Sequence, residues 1–328
     1  MAYIEIKDAT KWYPHKSGKL RDIFRKDKSF VKAVDGVNLS MDRGEILGVI
    51  GESGCGKSTL GRMLTRLEDP TKGDVLVDGV STAELIKKDP LKFRRTVQIV
   101  FQNPFDTFTP RDTIQKILLR PLKHHKIGSS KEERLEIIKK ALEAGGLVPA
   151  EDIMQRYPHE LSGGQLQRIS IIRAMFLNPS FIIADEPVSM LDVSVRADII
   201  NMLIDLARNH DASVVFISHD IALTRYISDH VAVMYLGKVV EYGTADEVIN
   251  NPKHPYTKAL ISNCASIEPF EELATIAIEG EPPTPINPGP GCYFAPRCSM
   301  ACEECLKKYP ERYEVSPGHY ACCDRIES

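Results

Sequence analysis

Four short, mostly apolar runs mark the chain: "EILGVI" at 45–50, "VQIVF" at 97–101, "FIIAD" at 181–185 and "SVVFIS" at 213–218. None of them alternates apolar with polar positions as a half-exposed strand would, so each predicts a strand buried on both faces. Stretches with helical spacing of apolar residues follow most of them, at roughly 57–67, 131–145, 162–177 and 193–208. Strand and helix alternate through about residue 250, which predicts an α/β core with a largely parallel sheet. "GEPPTPINPGPG" at 280–291 interrupts any regular element and sets off a C-terminal tail. The polar, basic stretch "HKSGKLRDIFRKDKS" at 15–29 predicts an exposed loop between two early strands. No internal repeat is visible.

The first of these strands runs into "GESGCGKST" at 51–59, which fits G-x-x-x-x-G-K-[ST] through Gly51, Gly56, Lys57 and Ser58. Glycine lets such a loop curl until the backbone N–H groups of Ser53, Gly54, Cys55, Gly56 and the helix start through Thr59 converge on phosphate oxygens. The helix dipole adds to that attraction. Lys57 is then placed to reach the outer phosphates and Ser58 to bind Mg²⁺. The third strand delivers Asp185 at its C-terminal end, where a carboxylate can hold the same Mg²⁺. Glu186, next along, stands where a general base could polarise an attacking water.

Charge and composition narrow the partners. The net charge is -3 and the pI about 6.3, which does not suit a chain whose main partner is nucleic acid. "MAYIEIKDAT" has no charged start followed by an apolar stretch, and no apolar run approaches the roughly 20 residues of a spanning helix. These features predict a soluble, cytosolic protein. Its cysteines are unevenly spread. Apart from Cys55 and Cys264, six fall in the tail, four of them in "GCYFAPRCSMACEEC" at 291–305 and the other two at Cys322 and Cys323. In a reducing compartment such a cluster points to metal binding or redox chemistry rather than disulfides.

"LSGGQ" at Leu161, Ser162, Gly163, Gly164 and Gln165 completes a set of motifs that resembles the ABC-type ATPase cassette over roughly residues 3–250. Ser162 is suited to cap the following helix, and the two glycines bare backbone N–H groups to an anion. The resemblance implies that this anion is the γ-phosphate held by an opposite subunit. It also implies that Tyr13, with Trp12 as the alternative, stacks on adenine. Gln102 in "VFQNP" would sense Mg²⁺ and couple to membrane subunits. Asp192 in "SMLD" would cross the dimer interface, and His219 in "ISHD" would contact the γ-phosphate. Leu166 and Met190 depart from the usual pattern, with altered interface packing as the expected effect.

The tail refines the resemblance. "HPYT" within 251–260, followed by "GCYFAPRC" and "PGHYACC", is similar to the C-terminal extension of oligopeptide and dipeptide ABC importers, and most like the second ATPase subunit of the pair. That resemblance implies a [4Fe–4S] cluster on Cys292, Cys298, Cys305 and Cys323, with Zn²⁺ as the alternative and Cys302 and Cys322 as bystanders. The expected architecture is an ABC ATPase domain over 1–250 with a helical subdomain at about 103–178, and a Cys-rich extension over 251–328. The implied activity is ATP hydrolysis powering peptide import, with ATP and Mg²⁺ as cofactors. Import of nickel or another small solute, or a soluble ABC ATPase, is the alternative. Implied partners are a sister ATPase subunit, favoured over a homodimer, two membrane-spanning permeases, and indirectly an extracytoplasmic peptide-binding protein. The chain would sit peripherally at the cytoplasmic face of the membrane.

Overall fold

The structure, a computed structural model, describes residues 2–15, 29–263, 276, 278 and 280–326. Apart from its two ends, the basic segment expected to loop out at 15–29 lies outside the described residues, as does Cys264. Those ends meet, the His15 N–H donating to the Ser29 carbonyl at 2.8 Å.

In chain order the strands are β1 (Ile4–Pro14), β2 (Phe30–Met41), β3 (Ile46–Ile50), β4 (Lys72–Val77), β5 (Val80–Ser81), β6 (Val97–Val100), β7 (Phe181–Asp185), β8 (Ser213–Ile217), β9 (His230–Tyr235), β10 (Lys238–Thr244), β11 (Tyr313–Ser316) and β12 (His319–Ala321). The α-helices are α1 (Lys57–Leu64), α2 (Thr82–Lys88), α3 (Pro90–Thr96), α4 (Ile114–His124), α5 (Lys131–Ala144), α6 (Ala150–Gln155), α7 (Gly163–Met175), α8 (Val193–His210), α9 (Ile221–Ile227), α10 (Ala245–Asn250), α11 (Pro255–Ser262) and α12 (Glu303–Lys307). The four apolar runs are β3, β6, β7 and β8. Helix α1 stops short of its expected end because Arg66 turns into the left-handed region, with φ of 51°, while its guanidinium reaches Asp74 at 2.7 Å.

Two compact units emerge, one of Met1–Asp42, Ile46–Ser81 and Phe216–Ser328, the other of Arg43–Glu45 and Thr82–Val215. The first holds an antiparallel sheet in the order β2-β1-β4-β5 and the strands β11-β12-β10-β9-β3 of a second sheet. β3 lies parallel to β9, with Leu47 opposite His230 and Ile50 opposite Val233. All five residues of β3 are buried, as its unbroken apolar run requires. Beyond the proline-rich break the chain returns to this sheet: β12 pairs antiparallel with β10, setting Ala321 opposite Glu241 and Tyr320 opposite Tyr242. Phe294 and Tyr293 of the tail join Ile50, Val233, Tyr235 and Tyr256 in one core. Burial of each such aromatic contributes about 2–3 kcal/mol. A second tie is the fully buried pair His319 Nε2–Glu241 Oε1 at 2.7 Å.

In the second unit β6 and β7 run parallel, Val97 opposite Phe181 and Val100 opposite Ala184. Helix α4 buries Ile114, Ile117, Leu118 and Leu122, the i, i+3, i+4, i+8 stripe of an amphipathic helix. They pack with Ile138 and Leu142 of α5 and Ile169 of α7. Ser130 caps α5 by accepting from the Glu133 N–H at 3.1 Å, which contributes about 1 kcal/mol. Leu166 sits fully buried in this helical core. Its departure from the family pattern therefore concerns packing within the chain, not at an interface as expected.

Candidate nucleotide site and cysteine cavity

The phosphate loop connects β3 to α1. Gly56 adopts φ of 108°, and a Cβ there would lie 2.0 Å from the Ala33 carbonyl oxygen, so only glycine fits. Lys57 is buried, and its Nζ donates to the carbonyls of Gly51 at 2.7 Å and Glu52 at 3.0 Å. The ammonium thus caps the loop's own carbonyls. Ser53 and Gly54 form the exposed crest, and Ser58 is half-buried. Cys55 faces the interior, where burial pushes its thiol pKa up. Thr59 accepts from Arg62 Nη2 at 3.3 Å.

The neighbouring aromatics Tyr13 and Trp12 have different commitments. The Tyr13 hydroxyl donates to Glu68, which also pairs with Arg62 Nε at 2.7 Å. Burial and the Glu68 carboxylate raise the Tyr13 phenol above its ordinary range. Trp12 Nε1 donates to Asp35 at 3.1 Å, while the ammoniums of Lys32 and Lys72 stand 4.8 and 5.2 Å from its ring. Asp35 also accepts from the Tyr293 hydroxyl at 2.8 Å and pairs with Lys238 at 3.3 Å and Lys32 at 3.5 Å. Burial pushes this carboxyl up, but Lys238, Tyr293 and Lys32 outweigh it and hold it below the usual carboxylate range.

In the second unit Asp185 ends β7 and is buried. Glu186 follows in the left-handed region, φ 47°, which is uncommon for a residue with a side chain. Gln102 Nε2 donates to Glu186 Oε2 at 2.8 Å and to Ser189 Oγ at 3.3 Å. At the LSGGQ segment, Ser162 Oγ accepts from the Gln165 N–H at 3.3 Å, and Gln165 Oε1 accepts from the Ser162 N–H at 3.0 Å. This reciprocal capping box starts α7; Leu161, just before it, is buried. A Cβ on Gly163 would find its nearest neighbour, Leu191 Cδ2, at an ordinary 3.7 Å. One on Gly164 would meet Val195 Cγ1 at 2.6 Å. Asp192 is exposed at the N-terminus of α8, preceded by exposed Met190. In the first unit, His219 is exposed just before Asp220, which caps α9 by accepting from the Leu223 N–H at 3.0 Å.

Cys292, Cys298, Cys305 and Cys323 line one small cavity of about 20 Å³, walled partly by Phe294 and Met300. Burial pushes the Cys292 thiol up to about 11 and raises Cys298 and Cys323 as well. Such thiols stay neutral unless a cation enters. Cys302 and Cys322 do not line this cavity. Cys302 Sγ lies 3.5 Å from Cys305 Sγ, and Cys322 Sγ faces the Val239 carbonyl at 3.6 Å. Among the described residues, no three His, Cys, Asp or Glu side chains are gathered to hold a single metal ion.

Two residues not singled out from sequence stand beside the phosphate loop and hold its Glu52. Arg297 grips both carboxylate oxygens of Glu52, Nη1 to Oε2 at 2.7 Å and Nη2 to Oε1 at 3.0 Å. The Glu52 N–H donates to the Tyr256 hydroxyl at 2.8 Å. Tyr256 belongs to "HPYT" and Arg297 to "CYFAPRC", the only signals that could have drawn attention to them.

Residues 34–189 match the family described as ABC transporter. Residues 240–305 match that described as oligopeptide/dipeptide transporter, C-terminal region. The chain is 44% identical over 317 residues to the dipeptide transport ATP-binding protein DppF of Haemophilus influenzae, covering 97% of this chain and 94% of that protein. It is 43% identical over 323 residues to the oligopeptide transport ATP-binding protein AppF of Bacillus subtilis, covering 98% and 96%. Among solved structures, the dimeric ATP-binding cassette MJ0796 bound to ADP and Pi aligns with a TM-score of 0.64 at 30% identity, over 74% of this chain and 98% of that one.

Proposed function

Because the chain belongs to the ATP-binding subunits of ABC-type oligopeptide and dipeptide importers, we propose how its residues divide the work of that activity. Lys57 leaves the loop carbonyls for the outer phosphates of ATP, and Tyr13 stacks on adenine. Ser58, Asp185 and Gln102 would hold Mg²⁺. When bound, the ion would supply charge neutralisation to the phosphates. Glu186 takes a proton from water as the water oxygen bonds to the γ-phosphorus and the bond to the ADP oxygen breaks, giving ADP and inorganic phosphate. Gln102 aims the Glu186 carboxylate, and His219 contacts the γ-phosphate. Leu161–Gln165 and Asp192 serve the nucleotide held by a sister subunit, in a heterodimer of the kind of closure that a dimeric cassette bound to ADP and Pi illustrates.

In this reading residues 1–250 form the ATPase domain, with a helical subdomain at about 103–178, and 251–328 the extension. Cys292, Cys298, Cys305 and Cys323 would hold a [4Fe–4S] cluster, with Zn²⁺ as the alternative. That all four line the same cavity supports this, since four thiolates suit a cluster. When bound, the group would cross-link the segment that carries Cys292, Cys298 and Cys305 to Cys323 beyond β12. Among the described residues no helix is long and apolar enough to cross a membrane. In this reading the chain attaches to the cytoplasmic face through two permease subunits, with the peptide-binding protein met indirectly and no nucleic acid involved.

The likeness to a dipeptide transport ATPase along nearly the whole chain, tail included, carries this reading. Its test is ATP hydrolysis by the chain assembled with its sister and permease subunits. Peptide-loaded binding protein is expected to stimulate turnover. Stimulation by a nickel-loaded binding protein instead would overturn the peptide assignment.

A further inference from the structure

We propose that Arg297 is a positioning residue for the phosphate loop, acting on ATP binding through Glu52. The inference rests on ATP occupying that loop, and not on what the cysteine cavity holds. Glu52 is the second residue of "GESGCGKST" and is held on three sides. Its carbonyl accepts from Lys57 Nζ at 3.0 Å, its N–H donates to the Tyr256 hydroxyl at 2.8 Å, and both carboxylate oxygens take the Arg297 guanidinium. Two of these three restraints come from the C-terminal region.

The geometry selects arginine. A planar guanidinium can meet both oxygens of a carboxylate at once, which the single ammonium of lysine cannot. Arg297 has 7% of its side chain exposed. It is itself fixed by Nη2 donating to the Gly280 carbonyl at 2.8 Å and Nη1 to the Tyr235 hydroxyl at 3.3 Å. It ends the short turn Ala295–Arg297, with cavity residue Cys298 next in the chain. The fold of the cysteine segment therefore dictates where the guanidinium stands.

The consequence concerns Lys57. To reach phosphates, its ammonium must leave the carbonyls of Gly51 and Glu52. Those carbonyls then lose a donor, and the loop must keep its curl without it. Arg297 and Tyr256 hold Glu52 from outside while Lys57 moves. Without Arg297 the loop has one outside restraint fewer once Lys57 has left, and ATP binding must supply the difference.

The experiment measures Mg-ATP affinity of the full-length chain, and steady-state hydrolysis of the chain assembled with its sister and permease subunits, as wild type, Arg297→Gln, Arg297→Lys, Glu52→Gln and the double variant Glu52→Gln/Arg297→Gln. The expected result is an increase in KM and Kd of about tenfold for Arg297→Gln, roughly what one charge-assisted hydrogen bond is worth, with kcat within about twofold. Arg297→Lys should recover part of the loss. The double variant should bind ATP no worse than the weaker single variant, because both singles break one interaction. Should Arg297→Gln fail to fold, the near-isosteric Glu52→Gln carries the test alone. Lowered thermal stability with unchanged KM and Kd would overturn the proposal and leave Arg297 as a fastener of the tail. So would losses that multiply in the double variant.

Discussion

Gln102 and Glu186, 84 positions apart, meet in a 2.8 Å hydrogen bond in which the amide donates to the carboxylate. Glu186 presents its carboxylate from a left-handed backbone that few side-chain-bearing residues adopt. Glu186→Gln keeps the shape but removes the proton acceptor. ATP binding should stay within about threefold of wild type while phosphate release falls by at least about a hundredfold. Hydrolysis at the wild-type rate would sink the assignment of the base.

The two glycines of LSGGQ should behave differently. Gly163→Ala meets no crowding, so the chain should unfold at the wild-type denaturant concentration. Any fall in hydrolysis then reports the face that α7 offers to a second nucleotide. Gly164→Ala drives a methyl into Val195 and should cost about 1–3 kcal/mol in stability. Equal stability of the two variants would show that α7 and α8 yield more readily than their packing implies.

Strands β3, β7 and β8 were legible because an unbroken apolar run leaves few choices but a buried strand. The phosphate loop and the Ser162 cap were legible for a related reason, since each is specified by residues within a few positions of one another; the reciprocal bond from Gln165 was not read. The clamp of Arg297 on Glu52 was not. Its partners are 245 residues apart, and a charged residue carries no periodicity that announces its mate. Tyr293 and Asp35, 258 apart, were hidden in the same way. Nor does any local pattern announce that the tail adds strands to β10, because β11 and β12 are too short to show alternation.

Asp35 supplies a pH dependence. Its carboxyl is held below the ordinary range, so as pH falls the unfolded chain takes up this proton before the folded one does. The stabilisation is therefore complete above about pH 4, near the unfolded carboxylate value, and fades as pH drops toward the folded value. Asp35→Asn should cost about 2 kcal/mol at pH 7, the scale of lost hydrogen bonds to a charged group. In urea unfolding the gap to wild type should narrow below about pH 4. A gap that stays constant down to pH 3 would mean that Asp35 does not titrate as its surroundings require.

The cysteines divide by cavity. Cys298→Ser should lose most of the iron found in anaerobically purified wild type, where about four irons per chain are expected of a [4Fe–4S] site. Cys302→Ser and Cys322→Ser should keep it, because neither thiol lines that space. One zinc per chain and no iron in the wild type would replace the cluster with the alternative metal. Iron retained in Cys298→Ser would remove that residue from the ligand set.

The pairing of β12 with β10 has a consequence for where this protein can be cut. A chain ended after α10 would leave the backbone donors and acceptors of Glu241 and Tyr242 on an open strand margin beside β9. It would also uncover Tyr235 and the apolar surface that Tyr256 and Phe294 now cover. An unpaired margin next to exposed aromatics invites another chain to add its own strand. In the intact protein the outermost strand is instead β11, four residues long and carrying Glu314 outward. A truncated cassette is therefore expected to self-associate more readily than the full chain.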